Sequence, residues 1–270
     1  MGNYILAVFA GIIQGITEFA PISSSGHLVL FHRYFNFTAV DEVFFDVALH
    51  LATFLALMLF FWPAVFTLIK SFVASLSDWD LKNQTSQRTA WYLLIATLPA
   101  ALAGYFFEND IEIFLRNSTV VAFALIAVGV LLYLADKYSK QIKTLNTVNF
   151  SDSVIIGISQ ALALIPGVSR SGITIVAGLS CRLQRKVAAR FSFLLSIPIV
   201  FGAGIKKVFD LNFQAINPEQ WSLVFLAFAA ATITGFLTIK YFLRFLENHS
   251  LKFFAFYRII LGIIILIILF

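Results

Sequence analysis

Two short stretches of this chain place polar, chemically able side chains inside otherwise apolar sequence. The first is Gln14-Gly15-Ile16-Thr17-Glu18-Phe19-Ala20-Pro21-Ile22-Ser23-Ser24-Ser25-Gly26-His27 and the second is Pro166-Gly167-Val168-Ser169-Arg170-Ser171-Gly172. Gln14 and Glu18 stand i, i+4 and so share one helix face. Ser23, Ser24 and Ser25 follow a proline and open a new apolar run, as Ser169 and Ser171 do in the second stretch. Hydroxyls and free N–H groups at a helix start bind anions, and the Arg170 guanidinium can grip a phosphate through two parallel bonds. Ser24 and His27 are close enough across a first turn for a hydrogen bond. If the two stretches meet, one site holds a carboxylate, an imidazole, several hydroxyls and an arginine. That inventory suits phosphoryl transfer, in which positioning and positive charge on the phosphate oxygens do most of the work. A carboxylate beside phosphate also implies a hard divalent cation, Mg2+ ahead of Ca2+.

Any one of these serines could instead satisfy backbone groups freed by the break. Glu18 could be only a partner for Arg170, and His27 only a cap. The cluster argues against all three readings at once, because ionisable groups at membrane depth are costly and functional by default. Asp46 and His50, also i, i+4, read equally as supporting groups for the site or as ordinary span residues. His32 and His249 are assigned to the two membrane surfaces with structural roles.

The elements that must position these groups are set by composition. Of 270 residues, 60% are hydrophobic and only 12% charged, with mean hydropathy +0.90. Soluble domains carry about 25% charged residues, so lipid must cover much of this chain. The net charge of +5 lies in short loops and reflects topology rather than nucleic-acid binding, which is excluded as a partner. The single Cys181 rules out an internal disulfide or a CxxC site. The apolar N-terminus has neither a basic lead nor an A-x-A site and is read as mature sequence.

Six stretches are long enough to span a bilayer, which takes roughly 17–25 residues: Val43–Phe61, Ala90–Phe107, Thr119–Ala135, Val187–Ile205, Trp221–Ile239 and Phe253–Phe270. Trp62–Leu76 reads as a separate interfacial helix. The regions Asn3–Tyr34 and Ser151–Ser180 are apolar at both ends and broken in the middle. Broken backbone is tolerated at membrane depth only inside protein or beside water, so both read as re-entrant helix–loop–helix pairs.

The broken regions align without a gap: Gly11 with Gly157, Ile12 with Ile158, Gln14 with Gln160, Ser23 with Ser169, Ser25 with Ser171, Gly26 with Gly172. The expected fold is therefore an all-α polytopic membrane protein, a single membrane domain over 1–270 with an inverted-topology repeat. Each half, 1–135 and 151–270, is a re-entrant pair followed by three transmembrane helices. Charge agrees with this plan. One side collects Lys70, Lys82, Arg88, Lys137, Lys140, Lys143, Arg182, Arg185, Lys186, Arg190, Lys240, Arg244 and Lys252, while the other has Arg33, Arg116, Lys206 and Lys207 and the acidic Glu108, Asp110 and Glu112. By the positive-inside rule both termini are external, and inverted repeats with broken helices place the site near the midplane. Arg170 and Arg258 alone among the basic residues fall outside both groups.

With these motifs in view, the chain resembles the undecaprenyl-pyrophosphate phosphatases of the bacitracin-resistance type. The likeness rests on Gln14–His27, Pro166–Gly172, Phe191–Pro198 and Phe256-Tyr257-Arg258, and it covers the whole chain. It implies hydrolysis of undecaprenyl pyrophosphate to undecaprenyl phosphate and inorganic phosphate at the outer face of the bacterial cytoplasmic (inner) membrane. That reaction recycles the lipid carrier for peptidoglycan and underlies bacitracin resistance. The resemblance assigns Glu18 to metal or acid–base work, Ser24 and His27 to the nucleophile or its partner, and Arg170 to the phosphate, with Ser23, Ser25, Ser169 and Ser171 around it. Gln14 replaces the family's more usual Glu, yet its amide oxygen can still join Glu18 at a metal. Ser25 replaces a common Thr and keeps the hydroxyl. Ser24, His27 and metal-bound water all remain open as nucleophile. The rival class is a polyprenyl-phosphate transporter (flippase), which shares the repeat plan but needs no nucleophile. A phosphatidic-acid-type phosphatase is disfavoured because no K-x6-R-P motif occurs. Sequence leaves the oligomeric state open, a homodimer included.

Overall fold

In both serine-rich stretches the chain leaves helical geometry just before the serines and re-enters it at them. The computed structural model describes residues 2–35, 37–115, 117–210 and 217–269, without the side chains of 108–114, 208 and 210. Arg116 and the side chains of Glu108, Asp110 and Glu112, used in the charge comparison, lie outside the described residues. Among the described residues ten α-helices follow in order: α1 Gly2–Phe19, α2 Ser24–Phe35, α3 Glu42–Ser75, α4 Thr85–Leu115, α5 Ser118–Tyr138, α6 Phe150–Leu162, α7 Arg170–Ser180, α8 Arg185–Asp210, α9 Pro218–Phe245 and α10 Lys252–Leu269. No β-strand occurs among the described residues, and the protein is an all-α polytopic membrane protein. Six helices among the described residues are long and apolar enough to cross a bilayer: α3, α4 over Thr85–Phe107, α5, α8 over Arg185–Lys207, α9 and α10. These correspond to the six expected spans. With 12, 13 and 11 residues, α2, α6 and α7 reach only roughly 17–20 Å, short of a hydrocarbon core of about 30 Å.

One expectation is corrected. Trp62–Leu76 is not a separate interfacial helix, because α3 runs unbroken through Pro63 to Ser75. Proline removes one ladder bond, but the flanking apolar residues keep the helix going, and Thr67 Oγ1 donates to the Pro63 carbonyl at 2.8 Å. At 34 residues, α3 is about 50 Å long and outreaches the hydrocarbon core.

Helices from the two halves of the described chain interlock. Helix α1 lies along α9, α6 along α4, and α5 along α10. Aligned glycines permit the first two contacts. A Cβ at Gly11 would sit 2.3 Å from the Ala227 carbonyl oxygen of α9, and one at Gly157 would sit 2.6 Å from that of Ala96 on α4. Both approaches are backbone to backbone, as small residues allow in membrane helix packing. The α5–α6 connection is pinned by the Lys143–Asp152 ion pair at 2.7 Å, and Asp136 accepts from Arg185 at 2.5 Å and from the Leu251 N–H at 3.1 Å.

Gly157→Val is therefore expected to lower the midpoint of thermal unfolding in detergent, by an overpacking penalty of about 1–3 kcal/mol. Gly202→Ala, inside α8 and with an added Cβ that meets nothing within 4 Å, should leave the midpoint unchanged or raise it, since alanine favours a helix over glycine. Equal behaviour of the two variants would contradict the glycine-mediated interlock.

Candidate active site

The two breaks have the same local geometry. Ser23 and Ser169 both adopt positive φ, 77° and 70°, which is uncommon for residues with a side chain and costs about 1–3 kcal/mol each. Each side chain then caps the helix that follows: Ser23 Oγ accepts from Gly26 N–H at 3.2 Å and Ser169 Oγ from Gly172 N–H at 3.1 Å. Each hydroxyl also pairs with the serine two residues on, Ser23 with Ser25 at 3.3 Å and Ser169 with Ser171 at 3.2 Å. Direct bonds join the loops as well. Gly167 N–H donates to Ser25 Oγ at 3.4 Å, and Ser171 Oγ donates to the Ala20 carbonyl at 3.4 Å.

Where the loops meet, the start of α2 faces the start of α7 across Glu18. Its Oε1 takes the Arg170 Nη2 donor at 2.7 Å, and its Oε2 takes the Ser24 hydroxyl at 2.6 Å and Gln14 Nε2 at 3.3 Å. Arg170 Nη1 donates to the Ser192 carbonyl of α8 at 3.2 Å. Thr174 and Ser192 hydroxyls bond to each other at 2.6 Å behind it. Glu18, Ser24, Gln14 and Arg170 thus come together from residues as distant in sequence as Gln14 and Arg170. Ser23, Ser25, Ser169 and Ser171 form the loop framework on which Ser24 and Arg170 stand.

His27 points elsewhere. Its Nδ1 lies 2.7 Å from the Ser23 carbonyl, and its Nε2 lies 2.7 Å from the Tyr257 hydroxyl. A carbonyl only accepts, so Nδ1 carries the proton and the neutral ring's Nε2 accepts from Tyr257. The expected Ser24–His27 hydrogen bond does not form, because i, i+3 spacing puts two side chains on one face without fixing which neighbour each one takes. Ser24 turns instead to the stronger acceptor, the carboxylate.

Three further groups belong to the site. His50 Nε2 stands 3.9 Å from Glu18 Oε2, while its Nδ1–H donates to the Asp46 carbonyl at 2.8 Å. The Asp46 side chain is not its partner; it meets His32 Nε2 at 2.9 Å, so His32 is tied into the α2–α3 junction. A cavity of about 260 Å³ between α3 and α8, lined by Asp46, His50 and Lys207 with apolar neighbours, opens at His50. The second group is Tyr257. The third is Arg258, fully buried, which donates to the carbonyls of Pro21 at 3.1 Å, Gly167 at 2.9 Å, Val168 at 2.9 Å and Leu125 at 3.4 Å. One guanidinium on α10 holds both loops and α5. Its sequence signal was present, since Arg258 and Arg170 were the two basic residues left inside apolar sequence.

A family comparison matches residues 7–264 to the family described as Bacitracin resistance protein BacA. The chain belongs to that family. Curated relatives agree over almost their whole length. A protein of Desulforudis audaxviator is 41% identical over 98% of both chains, and one of Moorella thermoacetica is 41% identical over 96% of this chain and 95% of its own. One of Rubrobacter xylanophilus is 40% identical over 98% of both. All three bear the name undecaprenyl-diphosphatase.

For a metal, the residues present fit in one respect. Gln14 Oε1 is buried beside Glu18 without a hydrogen-bond partner, so an amide oxygen and a carboxylate stand together, and Mg2+ binds through one or two carboxylates plus substrate phosphate.

Arg258→Met removes the donor shared by the loop carbonyls. Each stranded buried acceptor costs about 1–3 kcal/mol, so this BacA-family chain should lose at least about 3 kcal/mol of stability. Arg258→Lys should recover only part of that loss, since an ammonium lacks the planar fork. A thermal unfolding midpoint in detergent equal to the parent's for Arg258→Met would refute the clamp.

Proposed function

We propose that this protein hydrolyses undecaprenyl pyrophosphate to undecaprenyl phosphate and inorganic phosphate, at a site made by Glu18, Ser24 and Arg170. The observation that carries this reading is the Ser24 hydroxyl, 2.6 Å from a carboxylate that is itself paired with an arginine. A nucleophile, a proton acceptor and a phosphate grip adjoin in a chain about 40% identical to proteins named for this activity. A lipid carrier has no use for the hydroxyl–carboxylate contact.

The terminal phosphate of the substrate competes with Glu18 for the Arg170 guanidinium. Once it takes those donors, Glu18 is released from its ion pair and becomes basic enough to accept a proton. Ser24 Oγ then attacks the terminal phosphorus while its proton passes to Glu18. The bond from phosphorus to the bridging oxygen breaks, and Glu18 returns the proton to the departing undecaprenyl phosphate. In the second half Glu18 takes a proton from water, the hydroxide equivalent attacks the phosphoserine, and the proton returns to Ser24 Oγ as inorganic phosphate leaves. N–H groups at the starts of α2 and α7 and the Arg170 charge stabilise the phosphate oxygens in both halves. His27, with Nε2 accepting from Tyr257, fixes the first turn of α2 rather than activating Ser24.

Gln14 and one Glu18 oxygen would hold a divalent cation, Mg2+ or Ca2+, whose charge would offset that of the diphosphate, the other Glu18 oxygen remaining for the Ser24 proton. The α3–α8 cavity at His50 is the water-side approach to Glu18. The excess of Lys and Arg in the helix ends and loops on the opposite side supports a topology with external termini and a site served from outside.

Purified protein with Mg2+ should release phosphate from undecaprenyl pyrophosphate. Ser24→Ala, Glu18→Gln and Arg170→Ala should each lower the rate by at least about a hundredfold, and His27→Ala by less. Intact release in Glu18→Gln and Arg170→Ala would show that the site lies elsewhere. Rapid quench at neutral pH in denaturing detergent should trap phosphate on Ser24; label on His27, or none, would replace the serine step by an imidazole or a water attack. Chelation should abolish release, and added Mg2+ or Ca2+ should restore it.

A further inference from the structure

A second polar cavity, with none of the catalytic groups, lies between α3, α8 and α9. It has a volume of about 600 Å³, and its lining includes Lys186 and Arg190 of α8, Lys240 and Arg244 of α9, and Glu247. The apolar part of its wall comes from α3 and includes Phe60, Phe61 and Pro63. Four cations therefore face one carboxylate. Glu247 is taken by Lys186 in an ion pair, and the hydrogen bond and charge of Lys186, together with the charge of Arg244, hold its carboxyl below the ordinary range. It stays ionised and cancels one cation, leaving an excess of three.

Aromatic rings separate this cavity from the catalytic cluster. Phe61, in the cavity wall, contacts Phe193 at 6.4 Å between ring centroids, and Phe193 contacts Phe19 at 5.4 Å and Phe242 at 6.1 Å. Phe19 is the residue after Glu18. Along α3, Phe60 is ten residues beyond His50, roughly 15 Å. The two polar regions thus flank one buried aromatic layer.

The neighbouring surface identifies the ligand class. Next to Phe61 and Pro63, Trp62 and Phe66 turn outward at 57% and 60% exposure, on a helix whose apolar length marks it as a membrane span. A ligand here meets cations on one wall, aromatic carbon on the other and lipid-facing helix alongside. Free phosphate would use only the first of these. Loop cations placed only by topology would be dispersed and solvated, whereas these project from two packed helices into one concavity.

We propose that this cavity is a second binding site that takes the phosphate headgroup of an anionic lipid, with the acyl or prenyl chain lying along α3 in the bilayer. The site is independent of the catalytic reading, since none of its residues touches Glu18, Ser24 or Arg170.

The test uses full-length protein in neutral detergent, with thermal stabilisation titrated by three probes: short-chain phosphatidic acid, phosphatidylcholine of the same chain length, and inorganic phosphate. Phosphatidic acid should stabilise both the parent protein and Arg170→Ala at low concentration, and the other two probes should need at least tenfold more. Each cation near a membrane surface contributes about fivefold in affinity for anionic lipid. Arg190→Gln/Lys240→Gln/Arg244→Gln should therefore weaken the phosphatidic acid response by roughly a hundredfold while keeping phosphate release from undecaprenyl pyrophosphate. If that variant does not fold, Lys240→Gln alone, at an exposed side chain, should weaken it about fivefold. An unchanged response in either folded variant overturns the site. Loss of the response in Arg170→Ala would place the lipid in the catalytic cluster instead, and equal potency of inorganic phosphate would overturn the lipid assignment. Failure of the catalytic reading would appear separately, as phosphate release that survives Glu18→Gln.

Discussion

The site depends on one buried cation. Arg258 reaches from α10 to the carbonyls of Pro21, Gly167 and Val168, groups left without helical partners because two helices were interrupted. Interrupted backbone inside a membrane protein leaves carbonyls without ladder partners, and each must be satisfied within the protein. A guanidinium is suited to this task, since it offers several donors in a fixed plane and never gives up its proton. The loops in turn satisfy the arginine. Neither could be buried alone.

Around that clamp, strain is placed where chemistry is wanted. The positive φ values of Ser23 and Ser169 turn each loop abruptly into its helix, so that Ser24 and Arg170, the next residues, stand at the first turns and face Glu18. Equivalent positions in the two breaks bear unlike residues: the nucleophile candidate in one, the guanidinium in the other. Glu18 joins them, one carboxylate oxygen to each. Across that contact the carboxylate and guanidinium neutralise each other, so neither is a lone charge at depth.

Much of this was legible in sequence because membranes make few demands and enforce them strictly. Apolar length gave the six spans. Polar residues flanked by apolar sequence gave both loops, and the gapless alignment of Gly11–Gly26 with Gly157–Gly172 gave their local equivalence. Glu18 and Arg170 were expected as neighbours because each would otherwise be a lone charge at depth. What was not legible depended on three-dimensional choice. Pro63 reads as a stop, yet α3 passes it, because one lost ladder bond is less than the apolar faces gain by continuing. His27 was matched to Ser24 by spacing, but two better partners, the Ser23 carbonyl and Tyr257, lay outside what spacing can show. Arg258 stood out as a cation inside an apolar span, yet nothing local says that its acceptors lie in loops as far back as Pro21.

The interlock of the halves has a consequence for how the protein comes into being. Helix α1 precedes α9 by some two hundred residues yet lies along it, and the arginine that fixes both loops arrives only with α10. A growing chain therefore holds Glu18 and Ser24 for most of its synthesis without the groups that organise them. The candidate site is thus ordered only once α10 has been made, so a product that stops short of it bears Glu18 and Ser24 on loops whose carbonyls lack their shared donor.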